Sequence, residues 1–216
     1  MFSRLTFSAF LALAIPAGAD VITTNPNLPP NVGGYLSPTQ VHACYPNCAN
    51  IDLTNIIHSF FLNIVRTPSG PNESETFSST ALGNVSVLLG PFNPISLSGP
   101  VQTIVFGKVG NTTGTFATEM LSLNLSGGGV TIRESPTLSS TGQTSITDVG
   151  GGNFQIHSFF DIFTELSLDG GATWIPSNGS THVDLANFSE PPAGVLAGIG
   201  LAALVLMGAR RRFGHS

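Results

Sequence analysis

The chain has 216 residues, 7 Lys and Arg against 12 Asp and Glu, and a formal net charge of −5. Between residues 20 and 188 the basic side chains are Arg66, Lys108 and Arg133 alone, too few to neutralise a run of phosphates, which excludes nucleic acid as a partner. Charged residues make up only 9% of the chain, whereas Gly occurs 25 times and Pro 15 times; this composition suits short strands joined by turns and disfavours long helices.

Taken in order, the chain opens with Arg4, an apolar stretch over 5–15, a break at Pro16 and the small residues Ala17-Gly18-Ala19. That order predicts a secretory signal peptide over 1–19, cut before Asp20. Residues 20–188 then form one exported β-rich domain, long enough to bury a core. Residues 20–35, with Pro26, Pro29, Pro30 and Gly33-Gly34, have no period and read as a loose lead-in. Cys44 and Cys48 follow. In an exported chain an even pair is most simply a disulfide closing a tight loop. The alternative is a metal site on His42, Cys44 and Cys48, which lacks a fourth ligand.

Residues 51–65 are the first strongly apolar segment and read as a strand, with a helix over 52–60 as the alternative. Residues 67–79 are polar, contain Pro68, Gly70 and Pro71, and read as a loop. Strands are expected over 84–89 and 101–109. The cleanest alternation is 115–126, with Leu121, Leu123 and Leu125 on one face and Ser122, Asn124 and Ser126 on the other. Gly127 to Gly129 turn the chain into a hairpin partner over 130–134. A loop over 135–142, a strand over 144–149, a second glycine turn at 150–152 and one long or bent strand over 154–168 come next. Residues 173–176 close the series, and 182–185 add an edge. Many short strands and regular glycine turns predict a mainly β domain, an antiparallel β-sandwich or jelly-roll-like fold. The topological rival, an outer-membrane β-barrel, conflicts with the apolar segment near the C-terminus, which would stop in the inner membrane.

The stretch from Ser167 to Trp174 resembles the Asp-box, S-x-D-x-G-x-T-W, through Ser167, Asp169, Gly171, Thr173 and Trp174. Asp and Gly in those places shape a turn. The box repeats once per blade in sialidase propellers and occurs once here, in a chain too short for several blades, so it predicts a hairpin and no glycosidase. Asp161 and Glu165 are the one carboxylate pair considered for hydrolysis. Four residues along a strand separate them by roughly 13 Å, more than the spacing glycosidases use. No nucleophile elbow, phosphate loop or His-Glu-x-x-His occurs, so no catalytic, cofactor or metal residue is assigned. Ile57-His58-Ser59-Phe60-Phe61 recurs as Ile156-His157-Ser158-Phe159-Phe160; an old duplication is one reading, but the unmatched flanks favour chance or similar burial demands, with both histidines as satisfied positions beside core strands. Six Asn-x-Ser/Thr sequences, starting at Asn72, Asn84, Asn111, Asn124, Asn178 and Asn187, reflect the abundance of those residues.

The C-terminal segment has three parts: Ser189-Glu190-Pro191-Pro192, an uncharged apolar run over 193–209, and Arg210-Arg211-Arg212. As a helix the run would cover about 25 Å, enough for a thin bilayer core. Arginines beside it favour the cytoplasmic side and place everything before Glu190 outside. This order resembles the PEP-CTERM sorting signal of Gram-negative bacteria, with Glu190 and Pro191 matching the last two motif residues and Ser189 standing where the first proline is usual. The resemblance covers roughly an eighth of the chain. It implies processing by an exosortase, a membrane cysteine peptidase, with passage through the inner membrane, and a host that makes exopolysaccharide. The expectation is an exported, non-enzymatic cell-surface or extracellular-matrix protein associated with exopolysaccharide or biofilm. The alternative is a carbohydrate-binding module using exposed aromatics such as Trp174 or Tyr35, with a glycoside hydrolase as a third class.

Overall fold

The computed structural model describes residues 20–37, 41–46, 48 and 50–187. The signal peptide over 1–19 and the sorting tail over 189–216 lie outside them, as does the side chain of His42. No helix among the described residues is long and apolar enough to cross a membrane. The secondary structure of the described residues is all strand: β1 Val21–Thr23, β2 Gly34–Leu36, β3 Val41–Tyr45, β4 Ile51–Ser69, β5 Asn72–Val87, β6 Asn93–Val105, β7 Gly114–Gly127, β8 Val130–Glu134, β9 Ser140–Gly150, β10 Asn153–Ile162, β11 Thr164–Ser167, β12 Ile175–Pro176 and β13 Thr181–Ala186.

Every pairing is antiparallel, and the sheet closes on itself. From β10 the wall runs through β13, β2, β4, β5, β6, β7 and β9 and returns to β10, an eight-stranded barrel. The expected sandwich or jelly roll is therefore corrected to a barrel. Closure rests on β2 and β13, which pair Gly34–Leu36 with Asp184, Leu185 and Ala186 and join β10 to β4. By sequence those two segments are a lead-in and an edge; in the fold they are wall strands whose pairing removes the sheet's open edges. Outside the ring, β1 lies on β10, β3 on β4, and β8, β11 and β12 extend the far half of β7.

β4 is a strand throughout and has three one-residue bulges against β5, after Thr54, Ser59 and Leu62. Each has a residue with positive φ: Asn55 at 54°, Phe60 at 56° and Asn63 at 55°. Bulges bend a strand and raise its twist, which curls this wall toward closure. Beyond His58, the second edge of β4 has no strand partner among the described residues, and bulges there also blunt an exposed edge. The expected loop over 67–79 is corrected too: β4 runs to Ser69, turns at Gly70 and returns as β5 from Asn72. Pro68 is tolerated because it lies on the unpartnered edge.

In β7 the expected face of Leu121, Leu123 and Leu125 is split. A register shift opposite Gln102 and Thr103 inserts one residue, so Phe116, Thr118 and Met120 face inward before it and Leu123 and Leu125 after it, while Leu121 is exposed. Gly142 lets β9 and β10 approach: a Cβ there would lie 2.0 Å from the Phe159 carbonyl oxygen. The long strand expected over 154–168 breaks between β10 and β11, where Ser135 N–H donates to Phe163 O and Phe163 N–H to Ser140 Oγ.

The inward face carries the core, including Leu97, Val101, Val105, Met120, Ile146, Ile156 and Leu185. Tyr35, Phe61, Phe77 and Phe160 meet edge to face within it, at centroid distances of 5.4–6.1 Å. The outward face exposes Thr76, Ser122, Asn124, Thr141, Gln143 and Thr147.

Candidate functional site

Alternation on the wall strands brings polar side chains from distant segments into the barrel. β5 turns Glu75, Phe77 and Ser79 inward, β6 turns Thr103, β7 Thr118, β9 Thr144 and β10 Ser158. Most find partners there. Tyr35 Oη lies 2.9 Å from Ser158 Oγ, which lies 2.7 Å from Thr144 Oγ1. His58 Nε2 lies 2.6 Å from Ser79 Oγ, and Thr103 Oγ1 donates to Glu75 Oε2 at 3.1 Å. Among the inward side chains just named, two buried atoms are left over. Glu75 and Thr118 are each 2% exposed, and Glu75 Oε1 and Thr118 Oγ1 have no protein partner. Both residues line a cavity of about 20 Å³ together with Leu28, Phe61, Thr103 and Thr144.

Burial controls the protonation of this interior. It pushes the Glu75 carboxyl up to about 8, against the Thr103 hydrogen bond; Glu73 adds to the rise and Arg66 and Lys108 oppose it. Burial also lowers His58 to about 4, leaving a neutral imidazole on Ser79 at neutral pH. Tyr35 is raised by burial and stays a phenol. Below this polar layer lies a second cavity of about 80 Å³, lined by Ala43, Leu53, Ala81, Leu97, Leu123 and Leu125 among others. His58, Ile162 and Val183 border both spaces.

The predicted site residues lie elsewhere, on the outer sheet extension and near β3. Asp169 Oδ1 accepts from Ser167 Oγ at 2.7 Å and from Thr173 N–H at 2.9 Å, and Oδ2 accepts from Thr173 Oγ1 at 2.6 Å. Gly171 N–H donates to Ser167 Oγ at 2.8 Å, and Gly171 takes φ +94°, which a glycine tolerates. The hydrogen bonds from Ser167 and Thr173 hold the Asp169 carboxyl well below the usual carboxylate range. Trp174 follows, with the Arg133 guanidinium 4.0 Å from its ring centroid. No family model, curated protein or solved structure matches the chain.

The two acids considered for hydrolysis each have a basic partner of their own. Asp161 lies 2.8 Å from His182 Nδ1, and Glu165 accepts two hydrogen bonds from Arg133. Burial opposes charge on His182, yet Asp161 and Asp184 outweigh it and raise its pKa. Of the aromatics considered for sugar binding, Tyr35 is corrected to a buried position, 7% exposed with its hydroxyl on Ser158, because β2 is a wall strand and not a lead-in. Cys44 and Cys48 are joined as a disulfide, so neither offers a thiolate to a metal; Asp52, whose carboxyl burial raises, sits beside them. The repeated pentapeptides are not equivalent: His58 is buried on Ser79, whereas His157 is exposed beside Asp20.

Sequence reasoning missed Glu75, Thr103 and Thr118 as a group. Reading 67–79 as a loop hid the alternation of Glu73, Glu75, Phe77 and Ser79 against Ser74, Thr76 and Ser78, the pattern that gives β5 one inward face.

Proposed function

We propose that this chain is an exported, non-enzymatic cell-surface or extracellular-matrix protein, sorted through its PEP-CTERM-like tail and associated with exopolysaccharide. The observation that carries the reading is the order of the tail, Glu190-Pro191, then the apolar run over 193–209, then Arg210, Arg211 and Arg212. β13 ends at Ala186, so the motif begins just after the last wall strand and a cut there leaves the barrel whole. The short apolar run would hold the motif close to the outer face of the inner membrane, and the arginines would set that depth. Prolines at 191 and 192 disfavour continuation of a helix through the motif and would leave it as extended backbone for a membrane peptidase to grip.

The non-catalytic part of the reading draws on the engagement of Asp161 with His182 and of Glu165 with Arg133. Against the carbohydrate-module alternative, Tyr35 is buried and offers no face to a sugar, and the Arg133 guanidinium lies over the Trp174 ring. The test replaces Arg210, Arg211 and Arg212 with Ser or Asn and follows the mass and fraction of the chain in its native host. The expected result is reduced processing with the β domain still folded. Mature wild-type protein that keeps its tail through Ser216, in a host with an exosortase, would make the tail a permanent anchor.

A further inference from the structure

Two features of the barrel interior have no role in sorting. One is the pair of buried, unpartnered oxygens, Glu75 Oε1 and Thr118 Oγ1, facing a space of about 20 Å³. A void of that size holds a single water or hydroxyl group. The other is the apolar space of about 80 Å³ beyond His58, Ile162 and Val183. Protein interiors are normally packed to crystal density, and an empty apolar cavity in a core is a standing loss of stability. An eight-stranded barrel is also of the width that either fills with its own side chains or holds one small ligand.

We propose that the barrel interior binds one small uncharged amphipathic molecule of the aliphatic alcohol class, with its hydroxyl on Glu75 and Thr118 and its hydrocarbon in the apolar cavity.

The chemistry of the head group follows from what faces it. Thr118 can donate or accept. Burial keeps the Glu75 carboxyl protonated near neutrality, its value being about 8, so it too can donate or accept. A hydroxyl does both and satisfies both atoms. An ammonium has three donors and no acceptor, and it needs an ionised carboxylate that this site resists. An anionic head on Glu75 would be opposed by the charge of Glu73, which already raises the Glu75 carboxyl. Arg66 and Lys108 do not offset this by direct pairing: Arg66 Nε donates to Leu28 O at 2.6 Å and Lys108 Nζ to Asn111 O at 2.8 Å. For the tail, the cavity lining is mostly aliphatic, with Leu97, Leu123 and Leu125 among its walls and Tyr45, His58, Thr164 and Thr181 as its polar members.

Titration of the folded exported chain with 1-butanol, followed by methyl NMR at pH 7, tests this. Saturable shifts are expected at Leu97, Leu123, Val183 and Met120, with n-butylamine at least about tenfold weaker, since it must ionise a buried carboxyl. Glu75→Gln keeps a neutral donor and acceptor and should hold affinity within about threefold, whereas Thr118→Val should weaken it by about fivefold. Ala81→Leu fills the apolar cavity and should abolish binding; if that variant does not fold, Ala81→Val should weaken it. Shifts that never saturate, or that survive both Thr118→Val and the Ala81 variant unchanged, would overturn the proposal. So would an affinity for n-butylamine above that for 1-butanol, which would mean an ionised Glu75. A water on Glu75 and Thr118 that 1-butanol does not displace would make the space a hydration site only.

Discussion

Glu165 holds Arg133 through one oxygen: Oε2 accepts from Nε at 2.9 Å and from Nη2 at 2.6 Å, across the β8–β11 pair where the two residues face each other. The same guanidinium lies 4.0 Å from the Trp174 ring centroid. One arginine thus ties the outer strands to the turn that carries the single tryptophan. Arg133→Ala should lower unfolding free energy by about 1–2 kcal/mol, from an ion pair and a cation–π contact that are both partly exposed. Arg133→Lys should recover less than half, because an ammonium cannot make the planar fork and stack together. Urea unfolding with a double-mutant cycle to Glu165→Ala checks this, and a zero coupling energy would mean the pair contributes nothing.

Asp169 is fixed by its hydrogen bonds to Ser167 and Thr173, which stabilise the ionised form. Its folded pKa lies below the unfolded value of about 3.9, so its contribution is present above that value and is lost as pH falls through the folded pKa. Asp169→Asn should lower the unfolding midpoint at pH 7 and narrow the gap to wild type below about pH 4. Thermal melts at both pH values decide it; a gap that widens in acid would reverse the sign of the linkage.

Glu75 and His58 pull stability in opposite directions with pH. Glu75 is raised to about 8, so the native state holds a proton the unfolded chain has released, and stability falls as pH rises toward 8. His58 is lowered to about 4, so the unfolded state takes up the extra proton, and stability falls as pH drops below about 6.5. His182, raised by its aspartates, acts in the same sense as Glu75. Comparison of wild type with Glu75→Gln isolates the carboxyl. The variant should gain on wild type by about 1.4 kcal/mol per pH unit between roughly pH 5 and 8, measured by urea unfolding. Parallel curves across that range would mean Glu75 is ionised in the fold.

The turn between β5 and β6 places Leu88 at φ 52° and Leu89 at φ 57°, with Gly90 N–H donating to Val87 O at 3.0 Å. Two central residues with positive φ give the turn a type I′ shape, which favours Asn-Gly. The leucines are 75% and 78% exposed, so they gain little from burial in return for that backbone. Replacing Leu88-Leu89 with Asn-Gly should stabilise the fold by about 1–2 kcal/mol. A loss of stability in chemical denaturation would show that the leucine side chains contribute more to the fold than their backbone conformation costs.

By itself the sequence determined what depends on neighbours. Gly128 and Gly129 turn β7 into β8, and Gly150 to Gly152 turn β9 into β10, because positive φ is a property of glycine at the turn itself. The hydrogen bonds among Ser167, Asp169, Gly171 and Thr173 span two to four residues, so the spacing alone brings those groups together. Alternation likewise marked the strand character of 115–126. Only the tertiary structure decided which edges meet. Alternation says which side chains share a face of one strand and nothing about the strand beside it, so a sandwich and a barrel have the same local pattern. Closure depends on β2 and β13, too short to stand out in hydropathy, and on bulges in β4 and β7 that reverse the inward face partway along a strand. Glu75 and Thr103 are direct partners across the β5–β6 pair, a register that no single-strand pattern gives, whereas Tyr35 meets Ser158 because β2 and β10 flank β13 on the closing side of the wall.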